Sequence, residues 1–433
     1  MKQKLLNYLK HNYCLIILLT IYLVISIFAL KELSFSYTIM SDDYGYIKSG
    51  IRFFEEGIIT MHGVETAQIM PGMTFLISFF CLIFGTGIKM ISALKILLII
   101  FGGATLTYLY KTIKMYSNQF VASICSLLLL TPDYIWTNNL ILTETPYIML
   151  QMMLIYYTLK LSESKKTSSY VMIIICYVLC LFIRPTIALF PIFLFVFLVL
   201  KKYEFKRLIK QGIIAAMILI CVLTPWIIRN YKIFGDFIPL TYGVGNPLLL
   251  GTYQGIGFPD DKELDYENNV YLKMDQEKRF YIENREENKE LASYYGFEYD
   301  ELKAKYRIQE WWKKDKSSLI KSYLFYKPKM LLSSTFYWDT LFNREKDLLI
   351  IIHKVEFIIF CLSMLLLLVT KKYIKELIML LGFYIYNLAL YSYTFAYGRY
   401  ALTMYPIRFI IIGLGIGAII KYIKDRRSRN EKN

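Results

Sequence analysis

The 433-residue chain is 56% hydrophobic, 17% aromatic and only 19% charged, with a mean hydropathy of +0.42, values that exclude a soluble globular domain. A formal net charge of +16 does not make it a nucleic-acid binder: its lysines and arginines gather in short loops between apolar runs, and no DNA- or RNA-binding motif is present. The composition is that of an all-α polytopic membrane protein.

The basic stretch Met1 to Lys10 precedes a long apolar run without a small-residue cleavage site, so it reads as an uncleaved first span. A crossing helix needs about 20 mostly apolar residues. Ten candidates occur, at 12–31, 91–110, 119–137, 141–159, 169–183, 186–200, 209–228, 348–369, 374–393 and 401–421. The run from Pro71 to Gly85 is shorter and bounded by Pro71-Gly72 and Gly85-Thr86-Gly87. Were it to cross, the loops holding Lys111/Lys114, Lys165/Lys166 and Lys201/Lys202 would lie outside, against the positive-inside rule. Treating it as a membrane-lying or re-entrant helix places those loops, Lys371/Lys372/Lys375 and the tail Lys421 to Arg427 in the cytoplasm, with both termini.

This topology predicts an N-terminal catalytic transmembrane module (1–230) with a first outer loop (32–90), an outer cap region (231–346), and C-terminal transmembrane helices with a basic cytoplasmic tail (347–433). The outer segment is acid-rich at Asp260-Asp261, Glu263, Asp265 and Glu267. An amphipathic stretch from Ile308 to Lys321 carries Trp311-Trp312, predicting a small helical cap with aromatic anchoring at the interface. The seven cysteines lie inside apolar segments without CxxC or Cys/His spacing, so they are packing residues.

Chemistry is expected on the outer side. Asp42 and Asp43 follow the first span in Met40-Ser41-Asp42-Asp43-Tyr44; ionised groups there sit in water, in a polar cavity or on a cation, and two neighbouring carboxylates can divide base and orienting duties. A solvated helix end is the plain alternative. Glu144, in Thr143-Glu144-Thr145-Pro146, is both a candidate and an ordinary acidic helix start. Arg184, Arg229 and Arg399 stand at outer boundaries, where a guanidinium needs an anion; a phosphate suits its planar fork, although snorkelling to lipid headgroups would also satisfy it. Tyr44, His62, Asn230 and Tyr400 are the neighbouring candidates for lining a substrate site.

The acidic pair followed by Tyr, the Pro-Gly-led short helix, the Thr-Glu-Thr-Pro turn, Arg184-Pro185, Pro225-Trp226-Ile227-Ile228-Arg229-Asn230 and the late Arg399-Tyr400 together resemble the GT-C glycosyltransferases. More narrowly, the chain resembles bacterial relatives of protein O-mannosyltransferases and aminoarabinose transferases. The resemblance implies a GT-C-like bundle of about ten transmembrane helices with a juxtamembrane helix in the first outer loop. It also implies an inverting enzyme of the bacterial plasma membrane, moving one sugar from a polyprenyl (undecaprenyl) phosphate to a glycan, lipid or protein acceptor outside.

Carried over, Asp42 is the catalytic base. Asp43, where the family commonly has Glu, and Glu144 are the candidate ligands of a divalent cation, Mg or Mn, with no organic cofactor. Arg229, Arg399 and Arg184 would bind the donor phosphate. Met70-Pro71-Gly72 departs from the family's double proline. Two rival readings are a surface-polysaccharide polymerase or ligase, expected to use outer-loop Arg and His, and an ion-coupled transporter, expected to show repeat symmetry and a midplane site.

Overall fold

The computed structural model describes residues 2–338 and 340–430, with side chains from Asn12 to Asp425 apart from Asp339. The side chains of Arg426 and Arg427 and residues 431–433, the end of the expected basic tail, lie outside what is described.

The N-terminal module begins with α1 (Lys2–Leu33) and α2 (Asp42–Glu56), which leads into a two-stranded hairpin, β1 (Thr60–Met61) and β2 (Val64–Glu65). His62 and Gly63 both take positive φ, 53° and 83°, the conformation of a type I′ hairpin turn. Then come α3 (Gly72–Phe84), α4 (Ile88–Lys114), α5 (Gln119–Leu127), α6 (Pro132–Thr137), α7 (Glu144–Ser164), α8 (Thr167–Ile183), α9 (Phe190–Leu200) and α10 (Phe205–Phe234).

The cap contains α11 (Gly245–Gly251), α12 (Tyr266–Asn269), α13 (Gln276–Glu283), α14 (Lys289–Lys314), α15 (Lys316–Lys321) and α16 (Lys327–Ser333). The C-terminal part is α17 (Lys346–Thr370), α18 (Ile374–Tyr393), α19 (Gly398–Ala401) and α20 (Tyr405–Asn430).

Six of these helices, among the described residues, are long and apolar enough to cross a membrane: Asn12–Leu33, Ile88–Lys114, Phe205–Phe234, Lys346–Thr370, Ile374–Tyr393 and Gly398–Asp425. Gly72–Phe84, Thr167–Ile183 and Pro185–Leu200 are shorter apolar helices. The expected span 119–137 is instead two short helices, α5 and α6, with a break between them. The cause is Pro132: it fixes the first position of a new helix and holds Thr131 extended (φ −87°, ψ 152°). Residues 71–85 do form the expected short helix, which packs on α2.

In the bundle, α7 packs on α4 and α8, α17 on α20, and α9 on α18. The cap differs in character. Its apolar core is small, built from Leu248, Leu249 and Ala304. A fully buried Arg307 does much of the organising: it donates to Thr252 Oγ1 (2.7 Å) and the Pro259 carbonyl (3.0 Å), pairs with Asp261 and lies 3.8 Å over the Tyr253 ring.

Trp311 is not the interfacial anchor expected of it. It is buried and donates to Ser318 Oγ at 2.7 Å, while Trp312 stays exposed. The helix expected over 308–321 breaks at Asp315, whose carboxylate caps α15 by accepting from Ser318 N.

Two glycines of the stretch Gly243 to Gly251 are required by close backbone approach rather than by a turn. A Cβ on Gly251 would lie 1.6 Å from the Thr394 carbonyl, and one on Gly245 1.9 Å from the Phe297 carbonyl. Gln254 exchanges two hydrogen bonds with Ala396, both 2.9 Å. The cap is thereby fastened to the segment just ahead of Arg399.

Candidate active site

Asp42 and Asp43 open α2, and their environments divide them. Asp43 is buried and accepts three backbone amides, from Ile39 (2.8 Å), Ser41 (3.1 Å) and Tyr44 (2.8 Å). It therefore folds the 39–44 turn around itself. Asp42 faces a cavity of about 420 Å³ bounded by Tyr46, Gln68, Thr143, Arg184, Tyr391, Arg399 and Tyr400, within the size range of small-ligand sites.

Four charged side chains run through this region as one chain of contacts. Arg399 donates from Nη1 to Asp42 Oδ2 and from Nε to Glu144 Oε1, both at 2.5 Å. Arg184 donates to the same Glu144 oxygen at 2.9 Å. Glu144 is fully buried at the start of α7, and Thr143 Oγ1 donates to its other oxygen at 3.5 Å. Glu144 thus balances two arginines, and the Asp42, Arg399, Glu144, Arg184 set is electrically neutral.

Aromatic rings frame it. Tyr400 stacks on Tyr391 with 4.8 Å between centroids, and Arg184 lies 5.2 Å over the Tyr400 ring. Tyr46 is buried against the cavity, and that burial pushes its phenol well above the usual tyrosine range, with Arg399 pulling the other way. It is a hydrogen-bonding hydroxyl at any ordinary pH.

The other expected site residues lie elsewhere. Arg229 donates to the Thr66 carbonyl (2.7 Å) and pairs with Glu65 (2.9 Å). Asn230 is buried and donates to the Ile238 carbonyl. Arg229 thus braces the hairpin against α10, while Asn230 holds the loop that follows α10. Tyr44 is exposed beneath Lys48 Nζ, 4.5 Å from its ring. His62 sits at the exposed hairpin tip.

A divalent cation is a poor match for Asp43 and Glu144 as they stand. The first carboxylate is taken up by backbone amides and the second by two guanidinium groups. Among the described residues no group of three His, Cys, Asp or Glu is arranged to hold a metal.

The sequence reading missed Tyr46, Gln68, Tyr391 and Thr394, which also lines the cavity. It also missed a buried cluster beneath the site. His353 sits between Asp133 Oδ2 and Glu356 Oε2, 2.9 Å from each, and Thr335 donates to Asp133 at 2.7 Å. Next to Thr335, Phe336 lies 5.9 Å under the Arg399 guanidinium. The signal was available: ionisable residues within apolar runs are functional or structural anchors by default.

Residues 68–228 match the family model described as dolichyl-phosphate-mannose-protein mannosyltransferase. Among solved structures, the chain is similar to the archaeal oligosaccharyltransferase AglB from Archaeoglobus fulgidus, in complex with an inhibitory peptide and a dolichol-phosphate. That match has 11% identity and a TM-score of 0.52, and covers 98% of this chain and 52% of AglB, so this chain spans about half of AglB's length. It is also similar to ArnT from Cupriavidus metallidurans bound to undecaprenyl phosphate, at 12% identity, a TM-score of 0.44, and coverage of 94% and 78% of the two chains. No curated protein matches. The chain is a multi-pass membrane protein with a GT-C glycosyltransferase fold, and the resemblance read in its sequence is borne out.

Proposed function

We propose that this protein is an inverting glycosyltransferase that moves a single sugar from a polyprenyl-phosphate carrier to a hydroxyl or amine on an acceptor at the outer face of the bacterial plasma membrane, with both termini cytoplasmic. The observation that carries this reading is the cavity in which Asp42 is the one lining carboxylate, flanked by Arg184 and Arg399. That combination offers a proton acceptor beside a cradle for an anion.

In the proposed reaction, Asp42 takes the proton of the acceptor as its oxygen or nitrogen bonds to the anomeric carbon. The bond from that carbon to the carrier's phosphate oxygen breaks with its electron pair, on the opposite side, so configuration inverts. The departing phosphate gains negative charge, which Arg399 and Arg184 stabilise. General-base help is worth typically about 10²–10⁴-fold in rate.

Arg399 cannot serve Asp42 and a phosphate equally. With donor bound, its Nη1 turns toward the phosphate and Asp42 is released from the ion pair, so that base activation follows donor binding. Asp43 acts here through the turn it organises, and Glu144 by holding two arginines side by side against their mutual repulsion. No step requires a cation.

The test is incubation of the purified protein in lipid nanodiscs with a panel of radiolabelled polyprenyl-phosphate sugars and mixed membrane acceptors, scoring release of free carrier phosphate. Wild-type release from one donor, lost in Asp42→Asn, is the expected result. Equal release by Asp42→Asn would overturn the assignment of the base, and no release from any donor would overturn the reaction class.

A further inference from the structure

At the other end of the bundle lies a second polar cavity, of about 510 Å³, lined by Tyr116, Glu163, Lys201, Lys371, Tyr373, Lys375, Glu376 and Lys421 among others. Helix α18 connects the two: Lys375 and Glu376 line this cavity, while Leu390 and Tyr391 line that of Asp42. At a rise of about 1.5 Å per residue, the two sites are separated by roughly 20–25 Å, close to the thickness of a hydrocarbon core. The second cavity therefore faces the opposite leaflet.

Its charged groups come from the ends of α7, α9, α17 and α18 and from Lys421 within the C-terminal half of α20. One buried ion pair is internal: Lys201 Nζ pairs with Glu376, which is 3% exposed. The lining holds four lysines against Glu163 and Glu376, a surplus of two positive charges. Lys371, Lys375 and Lys421 have no carboxylate partner among the described residues, and Lys421 Nζ lies 5.7 Å over the Tyr373 ring.

The loop between α17 and α18 is also shaped for its place. Lys371 and Tyr373 both take left-handed φ, 53° and 54°, a conformation costly for residues with side chains and sustained only where the surroundings fix it. Tyr373 is fixed by donating to the Tyr116 carbonyl (3.2 Å) and by edge contact with the Tyr116 ring (5.0 Å). A rigid loop thus holds its ammonium groups around a concave space at membrane-surface depth.

We propose that this cavity binds the phosphate headgroup of an anionic phospholipid from the leaflet opposite the Asp42 site. The ligand chemistry is a phosphate diester: unpaired ammonium groups supply the charge match, and the site lies where the headgroups of that leaflet lie. Bound there, the lipid ties the ends of α9, α17 and α18 to the C-terminal half of α20. This assignment does not depend on the transferase reading.

The test uses the full-length protein in nanodiscs of phosphatidylcholine alone or of phosphatidylcholine and phosphatidylglycerol in equal parts, with thermal unfolding and native mass spectrometry as readouts. Phosphatidylglycerol should raise the melting temperature and leave bound lipid on the released protein. Lys371→Ala/Lys375→Ala/Lys421→Ala should remove that increment and weaken lipid retention on the order of 100-fold, at about fivefold per lysine. The matching triple arginine variant should retain both. A control variant, Lys165→Ala/Lys166→Ala/Lys206→Ala, alters basic residues outside the cavity and should behave as wild type.

Equal loss in the control would show a general surface-charge effect and overturn the site. An unchanged increment in the cavity variant would do the same. Stabilisation of phosphatidylcholine discs by inorganic phosphate, equal to that by the lipid, would make this a free-anion site and overturn the lipid assignment.

Discussion

The Nη1 of Arg399 stands 2.5 Å from Oδ2 of Asp42, and the Nε of the same guanidinium stands 2.5 Å from Oε1 of Glu144. One arginine therefore joins the proposed base to the acid that anchors the opposite wall. If a donor phosphate takes over the Nη1 contact, Asp42 competes with donor in the resting protein. Asp42→Asn, which removes that competing charge, should bind a labelled carrier lipid at least as tightly as wild type while losing about 10²–10⁴-fold in turnover. Markedly weaker binding by Asp42→Asn would mean that Asp42 helps to hold the donor instead.

Arg399→Lys keeps the charge but gives up the planar fork that spans two partners. A charge-assisted hydrogen bond is worth about 1.5–3 kcal/mol, so donor affinity should fall about 10- to 100-fold, measured by equilibrium binding of the labelled carrier. Arg229→Ala should behave differently. Its guanidinium is committed to Glu65 and to the Thr66 carbonyl, so the expected loss is in melting temperature, with donor affinity nearly unchanged.

The contrast between these arginines marks where the sequence could and could not be read. Arg184, Arg229 and Arg399 carry the same signal, a guanidinium at the end of an apolar run. Two meet at Glu144, and the third has its anion nearby in the hairpin. Whether a boundary charge is answered by substrate or by a distant side chain depends on packing, which one sequence does not display. The partners of Asp43 could not be read for a similar reason: they are backbone amides, invisible in residue identities. Tyr46 and Tyr391 were hidden among 38 tyrosines, most of which have ordinary interfacial or packing roles. Pattern carried furthest in the long apolar helices, where periodicity and length leave few alternatives, and least at 119–137, where one proline divides the run.

Glu144 offers a stability test. It is fully buried and balances Arg184 and Arg399, so Glu144→Ala leaves Arg184 without an acid and Arg399 with Asp42 alone. Breaking a buried pair costs about 3–5 kcal/mol, and the variant should unfold at a clearly lower temperature in detergent. Glu144→Asp, with its carboxylate one methylene short, should recover part of that loss. A wild-type melting temperature in Glu144→Ala would show that substrate or lipid, rather than Glu144, answers the arginines.

The carboxylate of Asp43 can be separated from a metal role. With three backbone amides as its partners, Asp43→Asn replaces one acceptor oxygen by a donor that meets an amide N–H. The 39–44 turn should shift and misplace Asp42, lowering kcat while donor KM stays near its wild-type value. Chelation with EDTA should leave wild-type transfer intact. Activity abolished by EDTA and restored by Mg or Mn would return Asp43 and Glu144 to cation binding.

Lys327 supplies a pH test away from the membrane spans. It donates to the carbonyls of Gly251 and Thr394, both at 3.0 Å, and so pins the cap to α18 beside the cavity. Burial pulls its ammonium down to about 7 from the ordinary lysine range. Between that value and about 10.5 the unfolded chain holds a proton that the folded chain has released, so the lysine's contribution to stability rises with pH across this window. Below about 7 both states are protonated and the burial cost is carried in full. The slope is at most about 1.4 kcal/mol per pH unit for one proton. Cap unfolding, followed by tryptophan fluorescence at a series of pH values, should show wild type gaining on Lys327→Met as pH rises from 7 to 9. A difference independent of pH would mean that Lys327 stays charged in its buried place.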